Sequence, residues 1–273
     1  MATKKDVTTT QDQLPAEMLD FMGDMGAGME GADKDSYAIP FLAVIQTNSP
    51  QVDEADAKYI EAAKPGMLFN SVTNELYDGK EGVVFLPCAY QRRFLRWGPR
   101  GGDGAGFKGE MLPEEVAAAR QRGEIVEFEG RLYYPKEDGT VNPKQCDRVS
   151  DTRSHFGMVL DAEGAATNVL LSLSSTQIKK SKQLMSILSN VKIKTPNGMV
   201  TPPTWMNLMR ITTVRESNDE GSWYGVKFTK EEGLLQDRDV YSQGKAFHES
   251  IRAGEVGARY EEPSAEEGGE GKF

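Results

Sequence analysis

The chain has no uninterrupted apolar run near the ~20 residues that a membrane-crossing helix needs, and no hydrophobic signal segment. It is also poor in the residues that build metal centres and covalent frameworks, with two cysteines and two histidines. Cys88 and Cys146 are too few for a disulfide framework, so the sequence points to a reducing compartment, the cytoplasm. The spacings of Cys88, Cys146, His155 and His248 match no zinc pattern. Nucleophile–base catalysis would have to use one of those two histidines, and His155 falls within an expected strand. A phosphate loop fails as well. Gly101 and Gly106 have the right spacing, but Phe107 stands where the lysine belongs and no Ser or Thr follows Lys108. No metal, no cofactor and no enzymatic activity are therefore expected. The absence of repeats and of βαβ alternation excludes solenoids and doubly wound sheets.

What is present is unevenly charged. The 273 residues carry a net charge of −10, with acids concentrated in the first 35 residues and the last 17. Arg92–Lys108 and Lys179–Lys194 are basic instead. A local patch bears on partners, whereas net charge bears on solubility. Three regions are expected: a disordered arm over 1–36, a folded body over 37–256, and a disordered acidic tail over 257–273. Within the arm, Glu17–Met25 could form a short Met-rich helix.

The body reads as hairpins with inserted helices. Met67–Val72 and Val83–Trp97 have strand character. Pro113–Arg122 reads as a helix with proline at its first position and Gly123 as its stop. Hairpins are expected at Ile125–Tyr134, turning at Glu129-Gly130, at His155–Leu173, and at Met206–Thr229. A helix over Thr176–Asn190, capped by Ser174 or Ser175, should bury Ile178, Ser181, Met185 and Leu188. A last helix over Asp239–Arg252, with Asp237-Arg-Asp239 as its start, should bury Val240, Gly244, Phe247 and Ile251. The fold class is mainly β (α+β): an antiparallel OB-like barrel with long connections and a few inserted helices.

The most informative stretch is Ala89–Glu110. With period 2, Tyr90, Arg92, Phe94 and Arg96 share one face, while Arg93, Leu95 and Trp97 share the other. Alternating arginines and rings suit single-stranded nucleic acid, because guanidinium groups meet phosphates and rings stack on bases. A glycine-rich loop carrying Arg100 and Lys108 follows. Lys179, Lys180 and Lys182 add a basic helix side, and Trp223 is a further stacking candidate, with Val226 and Phe228 assigned to the core. The alternative for the strand is an amphipathic edge whose arginines block pairing with other sheets.

The chain closes on scattered acids and a terminal aromatic residue, including Glu266, Glu267, Glu270 and Phe273. This tail, behind a β-rich body with Arg/aromatic strands, resembles the single-stranded DNA-binding proteins of tailed bacteriophages. Lys272 departs from that family's pattern. The texts NVLLSLSSTQIKKSKQLMSIL and TTVRESNDEGSWYG are similar to phage early-region proteins of this size. The resemblance implies an OB-type body, action in DNA replication, recombination or repair, and a tail that contacts replication or recombination proteins. It carries over to Phe273 and the acidic run by position. A homodimer fits the same picture. Two other readings stay open: a phage protein-binding factor (scaffold or modulator of a host enzyme) without DNA contact, and a metal-dependent nuclease or recombination enzyme.

Overall fold

Two long strands, each holding two different neighbours along its outer edge, set the architecture of the computed structural model. It describes residues 27–31, 38–99, 104–219, 221–258 and 260. The chain divides into Met1–Tyr37 and Ala38–Phe273, and the elements below belong to the second unit.

In chain order these are β1 (Leu42–Val44), β2 (Leu68–Asn70), β3 (Leu76–Tyr77), β4 (Val83–Gly98), β5 (Gly106–Met111) and α1 (Pro113–Gln121). Next come β6 (Val126–Phe128), β7 (Arg131–Tyr133), β8 (Arg148–Leu160), β9 (Ala166–Ser174), α2 (Ile178–Asn190), β10 (Ile193–Thr195) and β11 (Gly198–Val200). The last are β12 (Met209–Asn218), β13 (Gly221–Lys230) and α3 (Arg238–Ala253). Every strand pairing between these elements is antiparallel.

The main sheet runs β13-β12-β4-β8-β7-β6, with β5 also on β4 and β9 also on β8. β4 and β8 pair from Val84↔Leu160 to Trp97↔Arg148. At the Val83 end the outer edges are taken by β12 and β9. At the Gly98 end they are taken by β5 and by the β6–β7 hairpin. The sheet curls into a half barrel. Among the described residues no pairing joins β13 to β6 and closes it.

At the Val83 end the sheet is covered on both faces. Val83, Phe85, Val159, Leu171, Met209 and Phe228 bury one face against β1, β2 and the Leu184–Leu188 side of α2. Leu86, Cys88, Phe156 and Met158 bury the other against Val240, Phe247 and Ile251 of α3. Burying such side chains contributes roughly 1.5–3 kcal/mol each. The register shifts between Pro87 and Ala89, leaving Cys88 as the extra residue of a bulge. A bulge also admits Pro87, which has no N–H to give to a ladder. Beyond it Phe94 packs with Val116, Ala119 and Ile125 around α1, whereas Leu95 and Trp97 pack with Tyr260 on the opposite face.

Several local expectations meet their structural counterparts. α1 begins at Pro113, and Glu115 reaches back to the Leu112 N–H. Glu129 and Gly130 both take positive φ in the β6–β7 turn. Asp237 caps α3 through the Asp239 and Val240 N–H groups, and Val240, Gly244, Phe247 and Ile251 are its buried residues. The cap expected for α2 is absent. Ser175–Gln177 form a 3-10 turn instead, with Ser175 at φ 49 and no side-chain cap. Packing also carries the body past 257, because Ala258 and Tyr260 join the cluster around Trp97. The arm and its Glu17–Met25 segment, and the acidic tail from 261 onward, lie outside the described residues.

Candidate nucleic-acid interface

Past the Cys88 bulge, one face of the β4/β8 ladder changes from apolar to charged. The cross-strand pairs there are Tyr90↔His155, Arg92↔Arg153, Phe94↔Asp151 and Arg96↔Val149. Two arginines directly opposite would repel. Asp151 relieves this by sitting diagonally to Arg92. It accepts from Arg92 Nε at 3.1 Å and Nη2 at 2.7 Å, and from Arg153 Nη2 at 3.0 Å. Arg153 also donates to the Tyr90 hydroxyl at 2.8 Å. Farther along, buried Asp147 takes Arg96 at 2.6 Å and Lys108 at 2.6 Å. The Arg96 guanidinium lies 3.9 Å from the Tyr134 ring centroid.

His155 closes this face toward α2. It is buried, and its Nε2 lies 2.8 Å from Ser181 Oγ. Burial, helped by the nearby Arg153 charge, pushes its pKa down to about 4, so the ring is neutral near pH 7. His248 instead places Nδ1 2.8 Å from the Cys88 carbonyl oxygen. Cys88 is itself buried, its thiol pushed up to about 12, which removes it as a nucleophile. Among the described residues no three His, Cys, Asp or Glu side chains converge to hold a metal, and no helix is long and apolar enough to cross a membrane.

Between α1, the β6–β7 hairpin and the turn leading into α2, the charged face opens into a cleft of about 480 Å³. Four arginines line it, Arg92, Arg120, Arg131 and Arg148, against two carboxylates, Glu127 and Asp151. Phe94, Val116, Leu132 and Ile178 give the walls apolar surface. Arg120 pairs with Glu127 at 3.0 Å where both side chains are solvated, so the pair is weak and exchangeable. An open cleft with excess guanidinium charge and apolar walls fits the two halves of a nucleotide, phosphate and ring.

A model described as Pam3 phage gp34-like protein matches residues 8–257. The chain belongs to this family. It is a phage protein family, which agrees with the phage resemblance of the central text. No curated protein and no solved structure matches the chain.

In this gp34-like protein the residues singled out from sequence do not form one site. Arg92 and Phe94 reach the cleft, Phe94 as a buried wall residue. Arg93 projects to the opposite face and lies 3.8 Å from Glu110. Trp97 is buried, packed edge-on to Phe107 and Tyr260, so it presents no open ring to a base. Tyr90 packs against His155, the ring centroids 5.1 Å apart and the planes tilted by 45°. Lys108 stands in β5, not in a loop. Lys180 pairs with Glu216 at 2.7 Å, and the Trp223 indole donates to the same carboxylate at 3.1 Å. Lys179 and Lys182 are exposed. Arg100, Glu266, Glu267, Glu270 and Phe273 lie outside the described residues. Arg120 and Arg148 were missed, because an arginine on a short helix and one at a strand start carry no local pattern.

Proposed function

We propose that this phage protein binds single-stranded nucleic acid, DNA in the first instance, in the cleft between α1, the β6–β7 hairpin and the start of α2. The observation carrying this reading is the excess of arginine over carboxylate in an open, partly apolar cleft of a protein whose net charge is −10. On this reading the curled sheet takes the role of an OB-type barrel. Arg92, Arg120, Arg131 and Arg148 meet phosphates, and the half-buried Leu132 and Ile178 provide the apolar surface on which bases rest. The protein is not an enzyme. It serves DNA replication, recombination or repair, and its acidic tail, through Glu266, Glu267, Glu270 and Phe273, engages protein partners in the host cytoplasm.

The test is fluorescence anisotropy of labelled oligo-dT against a duplex of equal length. Preferential binding of the single strand, weakening steeply with salt, is expected. Equal affinity for the duplex, or no binding at low salt, contradicts it.

A second reading, a phage protein-binding factor without DNA contact, draws on the internal neutralisation of Arg92, Arg96, Lys108 and Lys180 by Asp151, Asp147 and Glu216. Pull-down with nuclease-treated host lysate separates the two, since a DNA-bridged association disappears on treatment.

A further inference from the structure

Acidic residues number 42 in the chain, yet none occurs over residues 164–215. That interval contains all of α2 and the β10–β11 hairpin, with Lys179, Lys180, Lys182, Lys192 and Lys194. The fold sorts these lysines. Lys180 turns toward β12 and pairs with Glu216, the first acid after the gap. Lys192 donates to the Ser189 carbonyl, near the C-terminal end of α2, and to Thr201 Oγ1 just past the hairpin, so it fastens the hairpin to the helix. Lys179, Lys182 and Lys194 are exposed and make no ion pair with a described residue.

Lys179 and Lys182 share the outer side of α2 with exposed Gln183, Ser186 and Asn190, opposite buried Ser181, Leu184 and Leu188. At 1.5 Å per residue the helix runs about 20 Å. Its first residue, Ile178, and Ser175 before it line the arginine cleft. At its far end Lys194 is the cross-strand partner of Met199, which is 63% exposed, and Val200 beside it is 40% exposed. Partners in register project to the same face, so an ammonium group and an exposed apolar side chain stand side by side.

We propose that the outer side of α2 and the β10–β11 hairpin form a second binding surface, which takes the single strand as it leaves the cleft. Lys179 and Lys182 follow the phosphates along the helix. Lys194 and Met199 together meet one nucleotide at the hairpin, the ammonium on its phosphate and the thioether on its base. Pairing charge with an apolar tip selects a strand with unstacked bases over a plain polyanion. The proposal rests on the single-strand reading of the cleft and extends its footprint.

The experiment uses the full chain and two oligo-dT probes, of roughly 4 and roughly 16 nucleotides, the ends of the usual site-size range. The triple variant Lys179→Ala/Lys182→Ala/Lys194→Ala should weaken the long probe about tenfold and lower its log–log salt slope by about 2, at roughly 0.7 per lost phosphate contact. Its affinity for the short probe should stay at the wild-type value. The corresponding triple arginine variant should restore the long-probe affinity, and Met199→Ala should weaken the long probe with its salt slope unchanged. An unchanged long-probe slope in the alanine variant, or equal losses on both probes, overturns the second surface. If instead Arg120→Ala/Arg131→Ala leaves both probes at wild-type affinity, the cleft reading fails by itself. Wild-type protein that binds neither probe removes both.

Discussion

Arg92 grips Asp151 with two parallel hydrogen bonds, at 3.1 Å and 2.7 Å, across the register of β4 and β8. The pair lies on the wall of the arginine cleft, so the same carboxylate that lets two arginines stand opposite each other also lowers the charge a phosphate meets. Asp151→Asn keeps the shape and removes the charge. It should tighten oligo-dT binding several-fold and lower unfolding stability by about 1–3 kcal/mol, the cost of leaving mostly buried Arg153 short of a charged partner. Anisotropy and urea unfolding check the two effects, and weaker binding would contradict the assignment of Arg92 to phosphate.

His155 makes stability pH-dependent in a defined window. Its folded pKa lies near 4, against about 6.5 unfolded, so between these values the unfolded chain binds more protons. Stability should therefore fall as pH drops from about 6.5 to 4, by at most about 1.4 kcal/mol per pH unit from this group. His155→Gln should flatten the curve there. Superimposable wild-type and variant slopes would rule out this origin.

Tyr260 should behave as a core residue, although it lies within the region that composition assigns to the tail. Its ring meets Phe41 and Phe107 at 5.7 and 5.5 Å, and its hydroxyl lies 2.9 Å from Ser154 Oγ. Tyr260→Ala should cost about 3 kcal/mol and Tyr260→Phe about 1 kcal/mol in urea unfolding. A tail residue would give no change in either.

Gly157 faces Pro87 beside the bulge, and a Cβ there would stand 2.3 Å from Phe85 Cζ and 2.4 Å from the Leu86 carbonyl oxygen. Gly157→Ala should destabilise by about 1–3 kcal/mol or more, since backbone cannot give way cheaply. A Tm equal to wild type would mean the two strands separate locally.

Local chemistry made much of this fold legible. Glu129-Gly130 states its turn through residues that accept positive φ, and Asp237 states its helix start through a carboxylate that accepts from two N–H groups. Past the Cys88 bulge the period-2 pattern of β4 also holds, with Phe94 and Trp97 packed on opposite faces. What that pattern omits is what lies over each face. Trp97 and Arg93 look alike as candidates until Tyr260, far along the chain, covers the tryptophan. Likewise Asp147 and Asp151 show no sign in sequence that they will neutralise Arg96, Lys108 and Arg92, because the β4–β8 register brings them there. The cleft combines α1, a hairpin and β8, so Arg120 and Arg148 meet only in three dimensions.

The most direct test of the account is the salt dependence of oligo-dT binding by wild type and by Arg120→Glu/Arg131→Glu, both substitutions being on the cleft wall. Wild type should show a log–log slope equivalent to several phosphate contacts, at roughly 0.7 each. The charge-reversed protein, with an unchanged urea midpoint, should lose at least two contacts' worth of slope and about tenfold or more in affinity. A variant that binds as tightly and with the same slope as wild type would contradict the cleft as the nucleic-acid interface.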